Sequence, residues 1–236
     1  MVPVFCPIAY TPYLTPNMSY KAFLFDLNGT MIDDMSYHAD AWHDLLNNDL
    51  KRNFSRGEVE EQMYGKNSEV LTRLFGKRKF SPMRMDELSY EKEKRYQQAY
   101  RPHLALINGL DAFMRKAKQH GIAMGIGSAA IPFNIDFVLD NLQIRDYFTA
   151  IVSADDVDVS KPDPETFLKA ARLLQVKPAE CIVFEDAPKG VEAAQNAGMK
   201  SVVLTTMHPA ERFNAYNSVL EFVSDYTDPA LDGLFG

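Results

Sequence analysis

Six residues whose side chains could do chemistry on an anion stand at or just beyond the ends of short apolar runs. Asp26 closes AFLFD within KAFLFDLNGTMIDD, Ser128 closes IAMGIGS, Glu185 and Asp186 close CIVFED, and Lys161 lies in the loop segment SKPDPETF. Asn28 stands two residues past Asp26, where a second carboxylate would make a phosphate-transfer site easy to read. An amide there makes hydrogen bonds but has no proton to exchange near neutrality. Taken singly, each residue has an ordinary structural role: an Asp or Ser at a strand end is a turn former or helix cap, and a Lys before Pro is solvated. Several of them at successive strand ends, in this order, are a different matter from any one alone.

The elements that must position them alternate. Four β-rich runs end in small or acidic residues, at 22–26, 122–128, 181–186 and 201–206, and AIVSA at 150–154 is a weaker fifth. Helical patterns lie between them, such as Leu110, Phe113, Met114 and Ala117 before Gly121, and Phe167, Leu168, Ala171 and Leu174. Strands alternating with helices predict an α/β fold, a parallel sheet covered on both faces. In such a sheet ligands bind beyond the carboxyl ends of the strands, near the switch in strand order.

Residues 35–103 break the alternation, with YHADAWHDLL, SRGEVEEQMYG, NSEVLTRLFG and MDELSYEKEKRYQQAY offering helices and no strand. They are expected to form a smaller helical domain over the sheet, inserted into a core of 19–34 and 104–236; the alternative is that they pack on the sheet edge. Residues 1–18 are expected to be a flexible extension ahead of a start at Met18, with an ordered tail as the alternative, since MVPVFCPIAYTPYLTP has prolines at 3, 7, 12 and 16 and no basic start.

Composition narrows the function classes. With 236 residues, 46% of them apolar, the chain can bury a large core, yet no apolar run reaches the ~20 residues of a membrane span. A formal charge of −7, with no basic stripe interleaved with aromatics, argues against nucleic acid. Cys6 and Cys181 make neither a disulfide framework nor a zinc site. A cytoplasmic, monomeric protein off the membrane is the expectation, with small anionic molecules open to it if a metal and a few lysines meet their charge.

The four motifs FDLNGT, GIGS, SKPDPETF and VFEDAPKGVEAAQNAG together resemble the haloacid dehalogenase superfamily of phosphotransferases, in particular its β-phosphoglucomutase-like branch, over nearly all of residues 19–207. The resemblance implies a Rossmann-like core with a helical cap at 35–103, and a small phosphorylated metabolite as ligand. It implies Asp26 as the nucleophile that becomes an aspartyl-phosphate, with Mg2+ held by Asp26, the backbone carbonyl of Asn28 and Asp186, and Glu185 supporting its water shell. Lys161 would supply fixed positive charge, and Ser128 with nearby amides would hold the transferring oxygens. In the family pattern an aspartate fills position 28 as acid and base, a loss worth about 10²–10⁴ in rate. Three accounts of Asn28 stay open: a deliberate Asp→Asn replacement, a natural residue in an enzyme whose leaving groups need no proton, and a protein that has become a binder. Glu185 and Asp186 argue against dehalogenation.

Gly65, Lys66, Ser68, His38 and Ala129 are expected to face the substrate. YGKNSEVL, Tyr64–Leu71, falls where phosphoglucomutases place a glycine turn and an arginine that grips a second phosphate, but the matching residue is Ser68. Lys66 offers only a point charge, and Ala129, Ala130 and Ile131 are apolar where mutases are polar. Both departures favour hydrolysis, with β-phosphoglucomutase and a binding protein as alternatives. His38 and Trp42 share one side of the first cap helix, Trp42 as core. EKEKR, Glu91–Arg95, reads as a solvated face of alternating charge.

Overall fold

A computed structural model of the protein describes residues 20–235. Six parallel strands form its sheet: β1 (Ala22–Phe25), β2 (Ala123–Gly127), β3 (Ala150–Val152), β4 (Cys181–Glu185), β5 (Lys200–Leu204) and β6 (Val219–Val223), in the order β3-β2-β1-β4-β5-β6. β1 lies at the centre, where Ala22 is level with Ala123 on one side and Cys181 on the other. Its four residues are fully buried, which is why it reads as an unbroken apolar run. Phe23, Phe25 and Phe184 pack to one face of the sheet, and Leu24, Val183 and Phe167 to the other.

The sixth strand was not among the predicted elements. VLEFV is an edge strand, mostly half-exposed with only Val223 buried, so it carries neither a continuous apolar run nor a clean alternation.

Four α-helices occupy the stretch 35–100 after β1: α1 (Met35–Asp44), α2 (Arg56–Gln62), α3 (Asn67–Phe75) and α4 (Pro82–Tyr100). Local signals start two of them. Ser55 and Glu58 make a reciprocal capping box at α2, and Ser81 accepts the Arg84 N–H at α4 with Pro82 at the first helical position. Their inner faces make an apolar cluster of their own around Trp42, Leu45, Leu46, Val70, Leu71 and Leu88. α4, about 28 Å long, runs back to the sheet and buries Tyr96 and Tyr100 in the larger core.

The same helix corrects the expectation for EKEKR. Lys92 and Glu93 are only 2% and 3% exposed, turned inward against Trp42 and His38, while Arg95 reaches out to Asp44 and Asp49. Alternating charge along a sequence does not tell an outer face from an inner one when the inner charges find partners on other elements. α5 (Leu110–Gln119), α6 (Pro132–Leu142), α7 (Glu165–Leu173) and α8 (Pro188–Asn196) cover the sheet. Among the described residues no helix is long and apolar enough to cross a membrane. The expectation for residues 1–18 lies outside the described residues.

Candidate active site

The strand ends bring the core residues to one place. Asp26 follows β1, Ser128 follows β2, Glu185 ends β4 and Asp186 comes next, all lining one cavity of about 690 Å³ together with Asn28 and Lys161. Lys161 Nζ lies 2.6 Å from Asp26 Oδ1 and 2.8 Å from Glu185 Oε1. Glu185 is pinned on its other oxygen, which accepts the backbone N–H groups of Asp186 and Ala187 at 2.9 Å. Asp186 accepts the Thr30 hydroxyl at 3.1 Å. Gly29 has φ +74°, and a Cβ on it would overlap the Asp186 carboxylate, so the turn after Asp26 needs glycine on both counts. Ser128 is buried, its Oγ accepting the Ala130 N–H at 3.1 Å while its own proton remains to be donated.

Three buried carboxylates face one ammonium here, and the balance shows in their proton affinities. Asp26 is raised to about 7, by burial first and by Glu185 and Asp34 as well, against the downward pull of Lys161. Asp186 is driven well above the carboxylate range by burial and then by Glu185 and Asp26. For Lys161 burial works against the charge, but Asp26 and Glu185 outweigh it and hold the ammonium more firmly than usual. A hard cation fits this imbalance. The oxygens that could hold it are the two carboxylates of Asp26 and Asp186 and the carbonyl of Asn28, which accepts no hydrogen bond among the described residues. No group of three His, Cys, Asp or Glu side chains among the described residues forms a metal cage, so water would complete the set.

Asn28 is tied to a second buried cluster. Its Nδ2 donates to Asp34 Oδ2 at 2.6 Å and lies 3.0 Å from His38 Nε2. Asp34, fully buried, also accepts the Gly29 N–H and the Tyr96 hydroxyl. His38 stacks on Tyr96 with centroids 3.8 Å apart, and its Nδ1 accepts from Lys92. A carboxylate therefore lies one hydrogen bond beyond position 28, contributed by Asp34.

Of the residues expected to face a substrate, Gly65, His38 and Ala129 line the cavity with the core set, and Lys66 and Ser68 do not. Lys66 precedes α3 and its ammonium donates to the carbonyl of Val157 on the core; Ser68 is half-buried within the first turn of that helix. Asp34, Asn67, Lys92, Glu93 and Asn134 had no role assigned from sequence. Asp34 stood in the MIDD of the first motif, four residues before His38 on one helical face, the one signal available for it.

The family model described as haloacid dehalogenase-like hydrolase matches residues 23–204. A β-phosphoglucomutase of Bacillus subtilis is 32% identical over 77% of this chain and 82% of its own length. A fructose-1-phosphate phosphatase of Escherichia coli is 29% identical, covering 78% of this chain and 95% of that protein. Among solved structures, a β-phosphoglucomutase of Clostridium difficile superposes with a TM-score of 0.78 at 26% identity, over 92% of this chain and 97% of that one.

Proposed function

The chain belongs to the haloacid dehalogenase-like hydrolase family, and from that premise we propose that it is a magnesium-dependent phosphohydrolase of a small sugar phosphate, acting through a phosphorylated Asp26. The observation that carries this is the buried Lys161 bridge between Asp26 and Glu185 at the strand ends, with Asp186 beside it. Relatives named as a phosphatase of a phosphorylated sugar and as a sugar phosphomutase support the substrate class.

Asp26 has one oxygen engaged by Lys161, which leaves the other to attack phosphorus in line. Lys161 meets the charge gathering on the transferring oxygens, and the Ser128 hydroxyl donates to one of them. Asp26, Asp186 and the Asn28 carbonyl would hold Mg2+, which when bound supplies the charge that lets a carboxylate approach a phosphate dianion. Glu185 holds Lys161 and the turn after β4 in place. Water then opens the acyl phosphate and frees Asp26. Asn28 orients through Asp34 but moves no proton, so the substrate's leaving group departs without the usual acid. Hydrolysis is favoured over phosphoryl shuttling within a sugar because Lys66 and Ser68 stand off the cavity. The helices at 35–103 act as the cap.

Phosphate release from a panel of sugar phosphates, with magnesium and with chelator, tests the reading. Release that needs magnesium and is lost in Asp26→Ala supports it. No release by this chain or by Asn28→Asp on any ester, with the esters still bound, would favour a protein that only binds.

A further inference from the structure

Glu93 lies on α4, buried on the wall of the same cavity, and its carboxylate is met by nitrogen donors from three helices. Asn67 Nδ2 on α3 donates to Oε1 at 2.7 Å, Asn134 Nδ2 on α6 donates to Oε2 at 2.6 Å, and Lys92 Nζ lies 3.0 and 3.1 Å from the two oxygens. Burial alone would push this acid up, but Lys92, His38 and the two amides outweigh it and keep the carboxylate ionised. An ammonium and two amides converging on a carboxylate make the kind of cradle proteins build for a ligand's carboxylate or phosphate. Here the chain fills the cradle itself. The Lys92 ammonium is fully committed, with a further bond to His38, while Asn67 and Asn134 each give one amide N–H to Glu93 and Asn134 is fixed by Gln97, which donates to its carbonyl.

We infer that Glu93 is a specificity-determining residue, an internal anion that occupies the donors of the cap-side wall and restricts the substrate to phosphate monoesters of an uncharged polyol. The inference rests on the phosphohydrolase reading and deepens it. A second phosphate on the leaving group would meet an ionised carboxylate whose neighbouring ammonium, Lys92, is already committed to Glu93 and His38. A hydroxyl meets no such repulsion, because it can donate to the remaining lone pairs of Glu93.

The test compares fructose 1-phosphate with fructose 1,6-bisphosphate in the presence of magnesium, by calorimetric binding and by phosphate release, for the natural chain and Glu93→Gln. Glutamine keeps the shape and removes the charge. The natural chain should prefer the monophosphate by about tenfold or more in both measurements, and Glu93→Gln should narrow that ratio by a similar factor. Equal affinity of the natural chain for the two sugars overturns the inference without any variant. So does an unchanged ratio in a folded Glu93→Gln, or binding of neither sugar by the natural chain. Selective binding with no phosphate release would leave Glu93 its role and remove the hydrolase reading; release from both esters at equal efficiency would do the reverse.

Discussion

At the scale of single residues the site holds more negative charge than the folded chain can neutralise unaided. Asp26, near 7 in the fold, lies far above the ~3.9 of an unfolded aspartate. The native state therefore binds that proton more tightly than the unfolded chain between these values, so its stabilising effect is complete below about 4 and is lost as pH rises through 7. Asp186 acts in the same direction. Without metal, the thermal midpoint should fall between pH 5 and 8 more steeply for the natural chain than for Asp26→Asn. At pH 8 the variant should be the more stable of the two, by about 2–4 °C per kcal/mol. Thermal melts of both proteins in chelator check this, and magnesium should close the gap for the natural chain alone. Asn28→Asp changes the chemistry instead. The side chains are nearly isosteric, so single-turnover hydrolysis of an alkyl phosphate should gain roughly 10²–10⁴, and an aryl phosphate, whose leaving group needs no proton, much less. Equal rates on the alkyl ester would show that position 28 is not a vacant proton shuttle, and would direct attention to Asp34, one hydrogen bond away.

At the scale of elements, α8 packs so closely on the end of β4 that a Cβ at Gly190 would overlap the Glu185 carboxylate. Gly190→Ala must therefore move either the helix or Glu185, and with Glu185 its hold on Lys161. A fall of about 10² in kcat/KM is expected from so small a displacement, with an overpacking cost of about 1–3 kcal/mol. Kinetics together with a thermal melt separate the two effects. The strand ends were legible in the sequence because β1 and β4 are buried on both faces and each closes abruptly on a carboxylate. The cavity wall was not. Lys92 and Glu93 read as solvated because their partners, His38, Asn67 and Asn134, lie 54, 26 and 41 residues away, and no local pattern announces such a meeting. Lys66 was expected at the substrate because its turn resembles the phosphate-gripping turn of phosphoglucomutases, but its ammonium goes to the carbonyl of Val157, an acceptor 91 residues distant. β6 escaped because an edge strand needs only one good face.

At the scale of the whole molecule, the net charge of −7 and a cavity lined by several carboxylates leave Lys161 as the ammonium in contact with Asp26 and Glu185, which magnesium joins in the proposed mechanism. The order of the sheet has a further consequence, for the timing of synthesis. β1 leaves the ribosome first, but its two neighbours in the sheet are β2, about a hundred residues later, and β4, whose Cys181 is level with Ala22. At roughly 5–20 residues per second, Asp26 waits on the order of ten seconds or more for the strand that carries Glu185 and Asp186. The helices of 35–103, with an apolar cluster of their own, emerge entirely within that wait. The nascent chain should thus fold the helices of 35–103 long before Glu185 and Asp186 can reach Asp26. Phosphate release by ribosome-bound chains of graded length should begin only once residues up to about 206 have cleared the exit tunnel; release by chains arrested before β4 would show that the site does not depend on that strand.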